Sequence, residues 1–326
     1  MKRYSDEKQF QGAVLIAEDG KVIYKGAFGL ANMEWKALNS VTTRFRIASV
    51  TKPFTALLVL QAVEQGFLKL DGKVTDYLPD YPKATGERVT IHHLLSHTSG
   101  LVDYPDIPGF EWNRERLFHT QEAMLKEFSE LDVKFTPGTD YRYSNFGYYL
   151  LGVMLEKVTG KKYATLLQEK IFDPAGMKHT SVADNKTILD QRAAGYFLSE
   201  SGYRIAPPFD TSIVMAAGDI ISTVDDLYLW DQALYTNKLL SAEYRALLFK
   251  PTMPEKDNYA YGWYVRLPGK HDGPNWARHS GTINGFSSIV VRLLDDKRTI
   301  ILLSNVHGIK TIPISDALKK ILYSGR

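Results

Sequence analysis

The chain contains no cysteine among its 326 residues. Disulfides, a thiol nucleophile and metal centres held by thiolates are therefore excluded. An excess of charge of one sign is also missing, because 40 basic and 37 acidic residues are interspersed and leave a net charge of +3. No Lys/Arg cluster forms the basic footprint that nucleic acids or membrane surfaces require, so no nucleic-acid partner is expected.

Long hydrophobic runs are absent as well. No window approaches 18 apolar residues, so no segment is predicted to span a membrane. Residues 1–10 are too polar for a signal peptide. The compartment stays open: cytoplasmic if the chain is complete, extracytoplasmic if an upstream signal has been removed. The oligomeric state is equally open. The 44% of apolar residues suffice for a substantial core.

One stretch near the start combines a buried helix with chemically useful side chains. Pro53 and the apolar run 54–63, closed by Gly66, predict a helix that is buried nearly all round. Ser49 and Lys52 are three positions apart at its start, so both side chains are expected on one face. The hydroxyl then lies beside the positive end of the helix dipole, with the amine in reach.

This pair has the residue types of an activated nucleophile. A serine needs a neighbouring base, and a lysine can serve as one only where burial or nearby positive charge favours its neutral form. The buried helix supplies that desolvation. Against this interpretation, S-x-x-K occurs often by chance and a serine at a helix start is usually a cap. Ser49 and Lys52 are therefore candidates that need support from elsewhere in the chain.

Strand patterns lie at both ends of the chain. Residues 12–29 predict a hairpin that turns at Asp19-Gly20, and the last quarter carries further strand patterns before a terminal helix at 312–322. These later strands are predicted at 259–265, 276–279, 286–294 and 299–304.

The middle of the chain has helical patterns separated by loops rich in Gly, Pro and Asp. A short helix is predicted at 89–95, helical periodicity runs through 111–131, and a capping box predicts a helix at 223–234. Further helices are predicted at 147–159, before Gly160, and at 163–171. Residues 70–87, 135–140 and 172–213 are predicted as loops.

We therefore predict an α+β fold in which both termini build one antiparallel sheet flanked by helices, with a helical subdomain inserted. The whole chain, 1–326, is predicted to be a single catalytic domain. Residues 1–66 and about 214–326 would form its α/β region. Residues 67–213 would form its helical and loop region.

Three short motifs occur in a fixed order. Ser49-x-x-Lys52 is followed by Tyr143-Ser-Asn145 at the end of a loop, and then by His279-Ser-Gly281 on a strand. S-x-x-K, an S-D-N-type loop and a K-T-G strand mark penicillin-binding proteins and class A β-lactamases. In isolation, Tyr143 reads as one more loop aromatic and Asn145 as the N-cap of the following helix.

The resemblance extends beyond these motifs to about residues 10–323. It includes the segment 90–101, Pro137-Gly138, Ala217-Gly218 before Ser222-Thr223, and Gly285-Phe286. Together these look like the class C β-lactamase-like serine hydrolases, a group that includes family VIII carboxylesterases, D-stereospecific peptidases and relatives of penicillin-binding proteins. The resemblance implies the β-lactamase/transpeptidase-like fold.

The resemblance also implies roles for individual residues. Ser49 would form the acyl-enzyme, and Lys52 with Tyr143 would move the proton, with the Tyr143 phenol pushed toward phenolate by the neighbouring ammonium. Asn145 would hold Lys52 and donate to the substrate. The oxyanion would sit between the backbone N–H groups of Ser49 and Thr282.

The strand motif completes the implied substrate site. His279 and Gly281, the first and last residues of His-Ser-Gly, would lie beside the substrate together with Thr282. No metal or organic cofactor is implied. The tyrosines at 141, 143, 148 and 149 are expected to give the cleft an aromatic wall.

The departure from the pattern is at His279, where transpeptidases and β-lactamases usually have a lysine that attracts a carboxylate. A histidine is only partly charged near neutral pH, so carboxylate recognition should weaken. Arg278 is expected on the opposite face of the strand. This favours short-chain carboxyl esters as substrates, or an amino-terminal D-residue.

Other activities stay open at this stage. The rivals are a D-Ala-D-Ala carboxypeptidase, a D-aminopeptidase, a β-lactamase, an acyltransferase and a penicillin-sensing module that remains acylated. The expected partner in each case is a small-molecule ester, amide or β-lactam. His93 and His97 have a spacing that suits a metal, but no third ligand is evident, so hydrogen bonding within the helix-loop elbow is preferred.

Overall fold

The computed structural model describes residues 1–107, 109–110, 114–266 and 274–324. The main sheet has six strands, in the spatial order β10-β11-β12-β13-β1-β2. In chain order the strands are β1 (Gly12–Glu18), β2 (Lys21–Phe28), β3 (Leu30–Asn32), β4 (Ala37–Leu38), β5 (Phe45–Arg46), β6 (Ser181–Val182), β7 (Tyr196–Ser199), β8 (Gly202–Ile205), β9 (Ile220–Ser222), β10 (Tyr264–Arg266), β11 (Trp276–Ile283), β12 (Phe286–Leu293), β13 (Arg298–Ser304) and β14 (Val306–His307).

The α-helices of the described residues surround this sheet and fill the middle of the chain. They are α1 (Lys2–Asp6), α2 (Lys52–Glu64), α3 (Val74–Tyr77), α4 (Lys83–Gly86), α5 (Ile91–Leu95), α6 (Gln121–Ser129), α7 (Asn145–Thr159), α8 (Tyr163–Leu167), α9 (Asp173–Ala175), α10 (Val224–Ala233), α11 (Ala242–Leu247) and α12 (Thr311–Ser324). Short 3-10 turns at Ala48–Thr51, Tyr104–Asp106 and Thr211–Val214 and a π-helical turn at Gln168–Phe172 complete the helical structure.

The two termini meet in the centre of the sheet. Strand β1 pairs antiparallel with β2 on one side and with β13 on the other, with Gly12 opposite Ser304. At Gly12 a side chain would lie 1.9 Å from the Leu303 carbonyl oxygen, so only glycine allows this pairing. The prediction of one antiparallel sheet assembled from both termini is confirmed.

Helices cover the sheet on both faces, and this explains the uninterrupted apolar runs of its strands. In β1, Leu15 belongs to the large core that includes α2, whereas Val14 packs in a second cluster with Ile314 of α12. Strands covered on both faces lose the alternation of polar and apolar residues. The sheet is therefore a rigid support for the residues that pack against its strands.

The helix α2 lies at the centre of the large core. Its residues from Lys52 to Ala62 are all buried, in agreement with the predicted helix, and it ends two residues before Gly66, which has a φ of +79°. Phe54 stacks on Trp230 of α10 with ring centroids 3.9 Å apart. Because both ends of α2 are fixed, the turn that precedes it is held in place.

Several predicted boundaries were wrong. The region 70–87, predicted as loop, contains α3 and α4, and the helical periodicity of 111–131 yields only α6; residues 111–113 lie outside the described residues. The region 172–213 contains β6, β7 and β8, where no strand was predicted. Of the strand predicted at 259–265, only the end belongs to β10, because Tyr259 to Gly262 form a turn and an isolated bridge. The predicted split at 66 and 214 stays a prediction.

Candidate active site

Ser49 lies in the 3-10 turn that leads from β5 into α2. The residue before it, Ala48, has a φ of +49°. Residues other than glycine adopt this left-handed backbone conformation at a cost of about 1–3 kcal/mol. The turn survives because it is tightly enclosed: the Ile47 carbonyl accepts a hydrogen bond from the Ser288 hydroxyl at 2.6 Å. Such strain is common where a reactive side chain must be presented in one orientation.

Lys52 is fully buried beneath Ser49. Its Nζ lies 3.3 Å from Ser49 Oγ, 2.8 Å from Asn145 Oδ1 and 2.8 Å from the Ala217 carbonyl oxygen. Burial lowers the pKa of Lys52 to about 7, although the charges of Asp103 and Asp219 oppose that shift. A substantial fraction of neutral amine is therefore present at physiological pH.

The arrangement of acceptors gives the neutral amine a direction. An uncharged amine has two N–H donors and one lone pair. The two closer contacts, to Asn145 and Ala217, use both donors, and the lone pair is left for the Ser49 hydroxyl. Lys52 in this state can accept the serine proton.

Two buried carboxylates stand behind Lys52, and the sequence interpretation missed both. Asp103 accepts hydrogen bonds from the Asn145 and Phe146 backbone N–H groups and from Asn145 Nδ2, at 2.9, 3.0 and 3.0 Å. Burial nevertheless raises the pKa of Asp103. Asp103 therefore orients the amide of Asn145, whose oxygen in turn holds Lys52.

Asp219 is 2% exposed, and its Oδ1 has no hydrogen-bond partner in the described part of the chain. Burial raises the pKa of Asp219 to about 7, partly offset by backbone hydrogen bonds and by the charge of Lys52. Because Lys52 and Asp219 have similar pKa values and opposite charges, they compete for the same proton near neutral pH.

Tyr143 lies over the same amine, with Lys52 Nζ 4.7 Å from the centre of its ring, and its hydroxyl is hydrogen-bonded to Ser49. The expected shift toward phenolate is wrong. Burial raises the pKa of Tyr143 well above its ordinary value, and this outweighs the effect of its hydrogen bond with Ser49. The phenol is therefore protonated in the free protein and can relay a proton rather than act as the initial base.

Asn145 is the first residue of α7, and the helix is capped by Ser144, whose hydroxyl accepts from the Gly147 N–H at 3.0 Å. Asn145 is therefore not the N-cap of this helix, which was the structural alternative to a role in the active site. Its amide bridges Lys52 and Asp103 instead.

The strand β11 runs directly against the Ser49 turn. A side chain at Gly281 would lie 2.4 Å from the Ile47 carbonyl oxygen and 2.8 Å from the Ser49 nitrogen. Gly281 therefore sets the close approach, and Thr282, the next residue, lines the cavity beside Ser49. Paired N–H groups at this place would form the oxyanion site that the sequence resemblance implied.

His279 is not among the residues that line the cavity, and it is only 2% exposed. It lies behind Tyr143, with its Nε2 3.1 Å from the Tyr259 hydroxyl and its Nδ1 2.7 Å from the Ser280 carbonyl oxygen. Burial and the charge of Lys52 lower the pKa of His279 to about 3. The expectation of a partly charged residue at this position is wrong, because the ring is neutral and enclosed.

Other side chains singled out in the sequence have structural surroundings. Arg278 pairs with Asp316 of α12 at 3.6 Å, away from the cleft, as expected. His93 Nδ1 accepts from the Thr90 N–H at 3.2 Å, and His97 Nδ1 accepts from the Ser144 N–H at 3.1 Å. Hydrogen bonding within the helix-loop elbow is thus confirmed for His93 and wrong for His97, whose partner Ser144 precedes α7.

The aromatic wall was predicted only in part. Tyr143 lines the cavity, whereas Tyr148 and Tyr149 are 0% and 1% exposed and belong to the core. The Tyr148 hydroxyl donates to the Leu95 carbonyl oxygen at 2.9 Å. Both side chains are enclosed in the large hydrophobic core, so they cannot reach a substrate. Tyr141 is half-buried and bonds to the Tyr264 hydroxyl at 3.2 Å.

A cavity of about 830 Å³ opens above Ser49. Its walls are largely apolar and come from the β7–β8 hairpin, the 3-10 turn at Thr211–Val214 and the two aromatic residues Tyr104 and Phe110. The β7–β8 hairpin supplies Phe197, Leu198 and Ile205 to this wall. The sequence did not predict this hairpin. Glu115 and Arg204 are the charged side chains of the described residues that line it.

A cluster of serine, buried lysine and tyrosine lies beside strand β11, in an α+β fold with both termini in one sheet. This combination defines a serine hydrolase of the β-lactamase and penicillin-binding-protein fold. The comparisons with known proteins agree. The chain belongs to the Beta-lactamase family, whose model matches residues 1–318. The expected fold and the assignment as an enzyme are thereby confirmed.

Individual relatives are penicillin-binding proteins and amidohydrolases. Penicillin-binding protein 4* of Bacillus subtilis is 34% identical over 92% of this chain and 69% of its own length. A penicillin-binding protein structure from Bacillus halodurans has a TM-score of 0.86 at 27% identity, with 97% of this chain and 98% of that chain covered. A D-stereospecific amidohydrolase from a Streptomyces species has a TM-score of 0.81 at 25% identity, over 97% and 95% of the two chains.

Two further observations bear on partners. In the described ranges no helix has both the length and the apolar character needed to cross a membrane. The same ranges contain no group of three or more His, Asp or Glu side chains placed to hold a metal ion.

Proposed function

We propose that this hydrolase is a carboxylesterase that forms an acyl intermediate on Ser49 and acts on short-chain esters. The observation that carries this proposal is the neutral, enclosed His279 at the strand position where carboxylate-binding relatives have a cation. A substrate that is held by its terminal carboxylate next to the scissile bond loses its main attraction there. An uncharged ester needs no such attraction and suits the apolar cavity.

Acylation begins with the neutral amine of Lys52. As Ser49 Oγ attacks the ester carbonyl carbon, Lys52 Nζ takes the hydroxyl proton, and the carbonyl oxygen gains negative charge between the N–H groups of Ser49 and Thr282. The C–O bond to the leaving alcohol then breaks. The alkoxide receives a proton from the Tyr143 phenol, which is replenished from the Lys52 ammonium.

Deacylation repeats these steps with water in place of serine. Water loses its proton to the Lys52–Tyr143 pair, its oxygen attacks the acyl carbon, and Ser49 Oγ leaves with a proton. Asn145 and Asp103 keep Lys52 in place throughout, because the amide of Asn145 is fixed on its other side by the carboxylate. No cofactor takes part in this scheme.

The test compares ester, β-lactam and D-amino-acid amide turnover. Initial rates on 4-nitrophenyl butyrate, nitrocefin and D-phenylalanine 4-nitroanilide are measured for the wild type and for Ser49→Ala. The proposal expects the ester to have the highest kcat/KM and the variant to be inactive on all three. A higher kcat/KM on nitrocefin would overturn the assignment in favour of a β-lactamase.

A second candidate is an amidase for amino-terminal D-residues. The half-buried Glu115 carboxylate lines the cavity, where it accepts from Asn284 Nδ2 at 3.1 Å, and it can pair with a substrate ammonium. The amidohydrolase relative supports this alternative. It predicts that the anilide is the best of the three substrates and that Glu115→Gln raises its KM at least tenfold, with the KM for 4-nitrophenyl butyrate as the internal control.

A further inference from the structure

A second pocket of about 370 Å³ adjoins the active-site cavity. The two share part of their walls, so the second pocket lies directly beside the cavity above Ser49. The shared lining residues are Ile205, Pro207, Phe209 and Asn284. The pocket is therefore a direct neighbour of the substrate cavity, and its chemistry bears on what a substrate that reaches it would carry.

Three arginines, Arg46, Arg116 and Arg192, line this second pocket. The Arg46 guanidinium donates to Asn185 Oδ1 at 2.9 Å. Within the part of the chain that the structure describes, none of the three arginines forms an ion pair with a carboxylate. Converging guanidinium groups without carboxylate partners are the usual means by which proteins bind carboxylate and phosphate.

Arg46 and Arg192 are close enough to repel one another. Burial and, to a smaller extent, the charge of Arg192 lower the pKa of Arg46 to about 10, while the charge of Asp210 opposes both effects. A protein tolerates such unfavourable proximity where an anionic ligand relieves it.

Nearby carboxylates offset only part of this charge. Asp210 is engaged by Asn185 Nδ2 at 3.3 Å and by the Ser212 N–H at 2.9 Å, and Glu115 is engaged by Asn284. Three guanidinium groups thus stand against two carboxylates, and one positive charge remains in excess.

The pocket lies within reach of the reacting atoms. Arg46 precedes Ser49 by three residues, so their Cα atoms are at most about 11 Å apart. A substrate of a few carbon atoms can place its carbonyl at Ser49 and a charged end among the arginines. This anion would lie away from the scissile bond, unlike the carboxylate that a cation at position 279 would attract.

We propose that the arginine pocket binds an anionic group, a carboxylate or a phosphate, that the substrate carries at a distance from its scissile carbonyl. The inference rests on the proposed function, because it names a feature of the substrate of the same site. It predicts that the enzyme prefers dicarboxylic half-esters or esters of acidic alcohols over their neutral analogues.

Two matched substrate pairs test the proposal. The acyl side is tested with mono-4-nitrophenyl glutarate against 4-nitrophenyl butyrate, and the leaving-group side with 4-carboxyphenyl butyrate against phenyl butyrate. Charge-assisted hydrogen bonds predict that the anionic member of one pair has a kcat/KM about 10- to 100-fold higher. The pair that shows the preference tells which end of the substrate the pocket holds.

Three variants and one matched control decide whether the arginines cause the preference. In Arg46→Gln, Arg116→Gln and Arg192→Gln the ratio of the two kcat/KM values should fall toward one. Arg116 and Arg192 are exposed, so their variants remain informative if Arg46→Gln does not fold. Arg44→Gln removes the same charge from a residue outside the pocket lining, which bonds to His179, and should keep the preference.

An equilibrium measurement separates this proposal from the proposed function. Glutarate binding to Ser49→Ala protein is measured by calorimetry, with and without Arg192→Gln. Binding that the second substitution abolishes supports the pocket even if no ester is hydrolysed. Hydrolysis of 4-nitrophenyl butyrate without an anionic preference and without glutarate binding would overturn the pocket and leave the esterase proposal standing.

Discussion

Gly281 offers the sharpest test of how the strand edge and the nucleophile are held together. In Gly281→Ala the added methyl would lie 2.4 Å from the Ile47 carbonyl oxygen, 2.7 Å from Ser288 Oγ and 2.8 Å from the Ser49 nitrogen. Ordinary contact begins near 3.4 Å, so β11 and the Ser49 turn must separate by about 1 Å.

The size of the effect follows from that displacement. The proposed oxyanion site would take one N–H from each side of this contact, and a 1 Å misplacement of reacting groups costs about 100-fold in rate. Overpacking in a well-packed region costs about 1–3 kcal/mol of stability. We therefore expect kcat/KM on 4-nitrophenyl butyrate to fall about 100-fold, with a smaller loss of thermal stability.

The control is Gly26→Ala in β2 of the same sheet, where the added methyl meets mainly side-chain atoms, the nearest being Tyr24 Oη at 3.1 Å. It should leave kcat/KM within about twofold of the wild type. The assay is steady-state kinetics together with thermal unfolding of both variants. If Gly281→Ala folds and keeps wild-type kcat/KM, the proposed contact between β11 and the nucleophile turn does not position the catalytic groups.

Three further substitutions test the electrostatics. Asp219→Asn removes a negative charge that raises the pKa of Lys52, so the acid limb of the kcat/KM profile should move to lower pH; an unmoved limb would contradict the coupling. Tyr143→Phe removes the proton relay and should lower kcat about 100-fold or more while the fold is kept, as circular dichroism would check. Tyr148→Phe loses the hydrogen bond to Leu95 and should cost about 1 kcal/mol in denaturant unfolding with kcat unchanged.

The burial of Lys52 also makes stability depend on pH. Its folded pKa of about 7 lies below its ordinary value of 10.5, so the unfolded chain binds more protons between these two values. Stability from this group therefore rises as the pH increases from about 7 toward 10.5. Below pH 7 the lysine is protonated in both the folded and the unfolded protein, so the burial of its charge lowers the stability of the folded state by the full amount.

The sequence identified those active-site residues that lie within short motifs. Ser49 and Lys52 share a helix start, and their spacing predicted the pair. The roles of Tyr143 and Asn145, which stand on one loop at the start of another helix, were implied by the resemblance of the ordered motifs. The structure brings the two pairs together through the contact of Lys52 with Asn145. The central sheet was likewise predictable, because its strands have long apolar runs bounded by clear turns.

Residues whose role depends on tertiary contacts were missed. Asp103 and Asp219 are single acidic residues among 37, and only burial beside Lys52 distinguishes them. The β7–β8 hairpin has short, half-exposed strands whose apolar side chains face a cavity rather than the core, so periodicity gives little signal. The pKa of Tyr143 was predicted in the wrong direction because its enclosure could not be seen from the sequence.

The central claim is that the neutral amine of Lys52 is the base that activates Ser49. The most direct measurement is the pH dependence of kcat/KM for 4-nitrophenyl butyrate from pH 5 to 10.5. The account predicts a rate that rises with a midpoint near pH 7, where Lys52 loses its proton, and stays level up to about pH 9. A rise with a midpoint near pH 10 would contradict it, because the base would then be an unperturbed lysine or a tyrosine phenolate.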